Sequence, residues 1–193
     1  MPQISLYDAS IPTFRNGMVA LNDILAKACD HFGANSTEIA QATLISDLRP
    51  LAGHVQLCSN IAKKSLTRSA EIPTEVWRDD EETGEELVER CRRTIKLMDS
   101  VTPDQVNGHE ADSVDFVLGP YRLAMTSKEY ILRYGVPFFF FHLELVYSIL
   151  RMKGVPLGFI DFLGPHIERF MVKKEENEKG LFFLKTHGSP TAH

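Results

Sequence analysis

The stretch GVPFFFFHLELVYSILRMKGVP (135–156) decides how this chain reads. At about 100° per residue, Phe138, His142, Leu145, Val146 and Ile149 fall on one face, and Glu144 and Tyr147 fall elsewhere. That period predicts an amphipathic helix which aims one imidazole, His142, at an apolar interior. Arg151 and Lys153 in the last turn, Gly154 at the end and Pro156 beyond it are stop signals. Thr126 and Glu129 have capping-box spacing and open the segment. Gly135 and Pro137 predict a kink or a restart inside it.

Three more long helices follow from the same reasoning. In FRNGMVALNDILAKACDHFG, residues Phe14, Met18, Leu21, Leu25, Cys29 and Phe32 recur at helical steps, with Pro12 in the first turn and Gly33 at the end. A short helix is expected after Ser36, a suitable N-cap. Pro50 opens PLAGHVQLCSNIAKKSLT, because proline is tolerated at the start of a helix. Leu51, Val55, Cys58, Ile61 and Ala62 form its inward stripe, and His54 lies within that stripe. The next helix starts behind the acidic run RDDEETGEE, which reads as a solvated helix start capped by Thr83 and Glu86. Leu87, Cys91, Ile95, Met98 and Val101 follow, and TPDQVNG ends it. SVDFVLGPYRLAMT instead alternates around Gly119–Pro120, predicting a short β-hairpin within 113–126.

Four long helices joined by short connections predict an all-α, antiparallel four-helix bundle, with the hairpin placed before its last helix. The 193 residues suit one domain, drawn over 1–164, with a C-terminal extension over 165–193. In that extension Ile167, Phe170 and Met171 suit one more amphipathic helix, and an apolar LFFL follows a charged stretch. The net charge of −5 and the lack of any basic tract beyond Lys63–Lys64 and Lys173–Lys174 argue against a nucleic-acid partner. The three cysteines, Cys29, Cys58 and Cys91, lack metal-type pairing, and their odd number argues against a disulfide framework. The N-terminus lacks the charged and apolar regions of a signal peptide, and the Phe-rich run is too short to span a bilayer. A cytoplasmic protein without a membrane partner is expected.

Two inward histidines on different helices are the chemical signal. One reading is structural: each is a packed side chain with a single hydrogen-bond partner. The other is a site in the bundle core, where facing helices commonly build one. In that reading His142 is the principal acid or base and His54 its partner across a cavity, since imidazole exchanges protons near neutral pH. Phe138, Phe141 and Cys58 would line the walls around an apolar or aromatic small-molecule substrate, and Tyr134 would orient it. Isomerisation, dehydration or cyclisation would suit such a site, because none requires a cofactor. No carboxylate pair, phosphate loop or G-x-S-x-G motif offers rival chemistry. The alternative is a non-catalytic bundle that binds a ligand or forms a homodimer. His31, His109, His166, His187 and His193 receive no role.

ISLYDASIPTFRNGMVALNDIL near the start, PLAGHVQLCSNIAKK in the middle and FFFFHLELVYSILRMKGVPLGFIDFLG near the end resemble one family, known as domain of unknown function nineteen ninety-three. The resemblance covers roughly 4–164 and places the chain in the DinB/YfiT-like superfamily of four-helix bundles. It implies a divalent metal held by three histidines, one on the second helix and an H-x-x-x-H pair on the last. Leu150–Arg151 and GVP (154–156) set the register, which puts His142 on the second histidine of the pair and Phe138 on the first. His54 falls near the second-helix ligand. Phe138 cannot ligate a metal, so only His54 and His142 remain as ligands and no cofactor is expected. A metal-dependent thiol transferase of DinB type is the third reading the resemblance supplies.

Overall fold

Ser5, not Pro12, starts the first helix. Its hydroxyl accepts the Asp8 amide while the Asp8 carboxylate accepts the Ser5 amide, a capping box that opens α1 (Leu6–Phe32). Pro12 therefore lies inside α1. Its missing N–H leaves only the carbonyl of exposed Asp8 without a helical partner, so the helix runs through it. The computed structural model describes residues 4–33 and 36–172. After α1 come α2 (Ser36–Gln41), α3 (Leu51–Ala70) and α4 (Gly84–Asp99). Thr83 and Glu86 make the expected capping box at α4. TPDQV does more than end that helix: it forms α5 (Pro103–Val106), with Thr102 and Gln105 capping it.

The hairpin is present as β1 (Ser113–Leu118) and β2 (Tyr121–Thr126), antiparallel, with Leu118 opposite Tyr121 across the turn. Phe116 is buried toward the bundle. The Thr126–Glu129 capping box opens α6 (Ser127–Glu129). The interruption expected at Gly135–Pro137 takes the form of a π-helical turn, Tyr130–Gly135, which leads into α7 (Val136–Met152) without a break. Ser127–Met152 is thus one helical stretch of 26 residues, long and apolar enough by composition to cross a bilayer, which corrects the expectation that this run is too short. Here it is the fourth helix of the bundle. Its buried side chains are Phe139, His142, Leu143, Val146, Ile149 and Leu150, and Leu145 turns halfway out of the predicted face.

Helix directions follow from side-chain pairs. Arg15 meets Asp99 and Cys29 abuts Gly84, so α1 and α4 run antiparallel. Phe14 packs on Phe139 and His31 lies beside Gly154, so α1 and α7 run parallel. His54 meets His142 and Arg68 meets Tyr130, so α3 and α7 run antiparallel. It follows that α3 and α4 are parallel. The four-helix bundle stands, with two antiparallel and two parallel neighbour pairs.

A parallel α3–α4 pair needs a long return. Residues 71–83 have no regular secondary structure and run back along α3. Thr74 bonds Thr67, Trp77 covers Lys63, Asp79 bonds Asn60 and Glu81 bonds Gln56. Arg90 on α4 fixes this strap: its buried guanidinium donates to the Arg78 carbonyl, Asp79, Glu81 and Asn60. The acidic run is therefore not simply a solvated helix start. Two of its carboxylates neutralise a buried cation, which would otherwise carry a large desolvation cost.

Beyond α7, Gly154 takes a left-handed φ of 90° and ends the helix as predicted. The last helix, α8 (Phe159–Ile167), packs on α1 through Lys27–Asp161 and reaches α7 through Phe162 with Phe140 and Tyr147. The boundary drawn between 164 and 165 falls inside α8. Of the predicted extension helix, Ile167 lies in α8, Phe170 in a 3-10 turn (Glu168–Phe170) and Met171 beyond it. The LFFL stretch lies outside the described residues.

Candidate functional site

His54 sits in the first turn of α3 and His142 near the middle of α7. Because these helices are antiparallel neighbours, the two inward faces predicted from periodicity meet. Nδ1 of one ring lies 2.9 Å from Nδ1 of the other, and the rings are tilted by 29°. His54 is 2% exposed and His142 7%. No substrate fits between two nitrogens at hydrogen-bond distance. This corrects the expectation of a cavity separating them: the histidines form one direct pair.

The surroundings of His142 are aromatic. The Phe138 ring stands edge-on at a centroid distance of 4.5 Å and Phe141 at 5.0 Å. Phe138 is half-buried beside the pair. Phe141 is 57% exposed and borders His142 from the solvent side. Tyr134 does not touch His142, because Phe138 stands between them in the ladder Tyr130–Tyr134–Phe138–His142. Cys58 is sealed in the core, where its thiol donates to the Phe139 carbonyl at 3.5 Å. Burial pushes that thiol well above its usual range, so Cys58 is an inert core residue and not a cavity wall.

Burial is also what disfavours the imidazolium here. His142 is lowered to about 4, first by desolvation and then by the positive charge of His54 and Arg49. His54 is lowered by burial as well; the Arg49 backbone carbonyl opposes this and the Arg49 charge adds to it. The carbonyl makes no hydrogen bond of sound geometry to His54 Nε2, which is buried without a partner. An Nδ1–Nδ1 bond needs one ring to donate and the other to accept, so the two tautomers must be opposite. With one, His142 Nε2 is a base; with the other, it is an acid. The small exposure that remains lies on His142, so exchange with solvent runs through that ring.

The pair does not fit the metal centre implied by the resemblance. Two nitrogens bound to a tetrahedral ion at 2.0–2.1 Å stand about 3.3 Å apart, and a catalytic site of this kind takes three protein ligands. The histidines are closer than that. Phe138, which the resemblance sets at the position of the third donor, packs its ring edge-on against His142. Among the described residues no group of three or more His, Cys, Asp or Glu is placed to hold a metal ion.

Two described clefts lie where α1 begins and not at the histidines. One of about 720 Å³ is lined by Ile4, Leu6, Ala9, Asn107, Lys128 and Leu132, and one of about 620 Å³ by Asp8, Arg15, His166 and Arg169 among others. Sequence reasoning missed a second cluster at the far end of the α3–α7 interface, formed by Arg68, Phe116, Tyr130 and Tyr134. The i, i+4 spacing of Tyr130, Tyr134, Phe138 and His142 was its visible trace. The partner from α3 was not legible.

The comparisons agree with this architecture. A crystal structure of a DinB family member protein from Shewanella denitrificans superposes with a TM-score of 0.71 at 24% identity, covering 82% of this chain and 92% of that one. At that identity the likeness shows the fold. A search of curated proteins gives no match. The profile of the family described as Domain of unknown function (DUF1993) matches residues 6–163. With a bundle of DinB type and a profile match over most of its length, the chain belongs to the DUF1993 family.

Proposed function

We propose that the protein is a cytoplasmic small-molecule enzyme that uses the His54–His142 pair, without a metal or other cofactor, for acid–base chemistry on an apolar or aromatic substrate. The observation that carries this reading is the direct Nδ1–Nδ1 bond between two buried imidazoles on facing helices. His142 Nε2 takes or gives the substrate proton beside Phe138 and Phe141. His54 is the positioning residue: its Nδ1 fixes the His142 ring and accepts or supplies the inner proton as the charge on His142 changes. Proton movement at carbon or oxygen suits isomerisation, dehydration or cyclisation. The low pKa keeps His142 neutral at cellular pH, so Nε2 is free to accept a proton and the imidazolium that forms gives it up readily.

A second reading, a non-catalytic bundle that binds a ligand or pairs as a homodimer, is favoured by the close packing of the pair. Both rings are nearly sealed, as a structural pair would be. An untargeted metabolite-turnover screen separates the two, with His142→Ala and His142→Gln as controls. Turnover by the native protein that both variants lose supports the enzyme. Equal profiles for all three proteins leave the non-catalytic reading.

A further inference from the structure

Lys63 on α3 is 4% exposed, and among the described residues its amine has no carboxylate within ion-pair distance. Buried lysines are nearly always paired, so this one stands out. The strap 71–83 closes over it, with the Trp77 ring centroid 3.7 Å from Nζ. From α4, the Arg93 guanidinium stands 4.3 Å from the centroid of the same indole. One ring thus faces two cations from two helices, and neither cation is bonded to an acid.

Two further donors of this cluster, Trp77 Nε1 and Arg90 Nε, are buried without a partner. Lys63 Nζ differs from them in not being fully sealed, so the small exposure of the residue includes its amine. Asp79 and Glu75 act on Lys63 only through space, and Asp79 is itself bonded to Arg90 and Asn60. Burial first, then the charges of Arg90 and Arg93, lower the amine from 10.5 to about 8. At neutral pH it holds on the order of a hundred times more free amine than an ordinary lysine. A desolvated amine beside other cations is a nucleophile. Its narrow opening admits only a very small electrophile, and the charges around it favour a product that is an anion. Carbon dioxide meets both conditions.

We propose that Lys63 is a carbamylation site, whose free amine takes up carbon dioxide to give a carbamate held by Arg93 beside Trp77. The nitrogen lone pair attacks the carbon. An N–C bond forms, one C–O π bond opens onto oxygen, and the nitrogen releases one proton to water; nothing is oxidised or reduced. The charges of Arg90 and Arg93 that oppose the ammonium stabilise the carbamate. Asp79 and Glu75 oppose it, and Arg93, exposed and unpaired among the described residues, is free to turn toward it. Lys63 lies nine residues beyond His54, on the opposite face of α3, so this reading and the acid–base reading stand or fall apart.

The test equilibrates the full chain with carbon-13 bicarbonate and carbon dioxide near neutral pH. Triethyloxonium then fixes carbamates as ethyl esters, and tandem mass spectrometry locates the label. Lys64, the exposed neighbour, is the internal control. A label on Lys63 at least tenfold above that on Lys64 is expected. Arg93→Met should lower the Lys63 label several-fold. Lys63→Arg, which keeps a cation against Trp77, should remove the label at that position and leave Lys64 unchanged. No label on Lys63, or one equal to that on Lys64, overturns the proposal and leaves Lys63 as packing under Trp77. An undiminished Lys63 label in folded Arg93→Met also overturns it. If Arg93→Met unfolds, the ratio of Lys63 to Lys64 in the native chain decides alone.

Discussion

His54 and His142 donate and accept across one bond of 2.9 Å between like atoms, Nδ1 to Nδ1. Such a bond forces opposite tautomers and excludes a proton on both inner nitrogens at once. The pair is therefore one unit with one shared proton, and substitutions at either ring act on both.

For His142→Gln, an amide can still bond His54, so the helical fold should persist with stability within about 1 kcal/mol, while turnover should vanish. His142→Leu should cost about 1–3 kcal/mol more, because it leaves His54 Nδ1 buried and unpaired. Urea unfolding and activity per folded molecule check both. Collapse of stability in the Gln variant with unchanged activity would show His142 to be core alone.

Stability should fall with acid. The folded His142 value, about 4, lies below the unfolded value of 6.5, so the unfolded state binds more protons between them. Stability is then fully present above about pH 6.5 and is lost as pH falls toward 4. The slope is about 1.4 kcal/mol for each pH step of one, and the whole loss is on the order of 3 kcal/mol. His54 acts in the same direction. Melting curves from pH 7.5 to 4.5 measure the slope, and His142→Gln should flatten it.

Purified protein should carry well under one equivalent of zinc, nickel or manganese by elemental analysis. Phe138→His should raise metal affinity at least tenfold, since it restores a third imidazole one turn before His142. One tightly held ion per native chain would overturn the two-ligand reading.

Arg90→Met should destabilise by about 3–5 kcal/mol, because it strands Asp79 and Glu81 and frees the strap over 71–83. Asp79→Asn should cost about 1 kcal/mol or less, as that carboxylate is half-exposed. Chemical unfolding and limited proteolysis within 71–83 report the two effects.

Gly17→Ala should cost about 1–3 kcal/mol, since a Cβ there would collide with the ring of Phe139, which is fully buried and has nowhere to move. Phe139→Leu should recover part of that loss in the double variant, measured by a thermodynamic cycle.

The family resemblance and the periodic helices led to the same bundle because each depends on local pattern. Caps such as Thr83–Glu86 and Thr126–Glu129 act within one turn, so they were legible where they stand. Pro12 misled because its usual place is a first turn, and the Ser5–Asp8 capping box lies only a few residues earlier. Cys58 misled for another reason. Helical arithmetic gives a direction around one axis, and exposure depends on which neighbour covers that direction.

Hydrophobic periodicity is written residue by residue, and it was enough to specify the four long helices, the hairpin, and the inward aim of His54 and His142. The mixed helix directions came from tertiary packing, because they depend on the strap 71–83 running back along α3 and on the buried Arg90 that holds it. Packing also brought the two imidazoles into contact so that they share a proton. Contact between residues 88 positions apart is set by how two helices pack, and no local pattern in either helix records that distance.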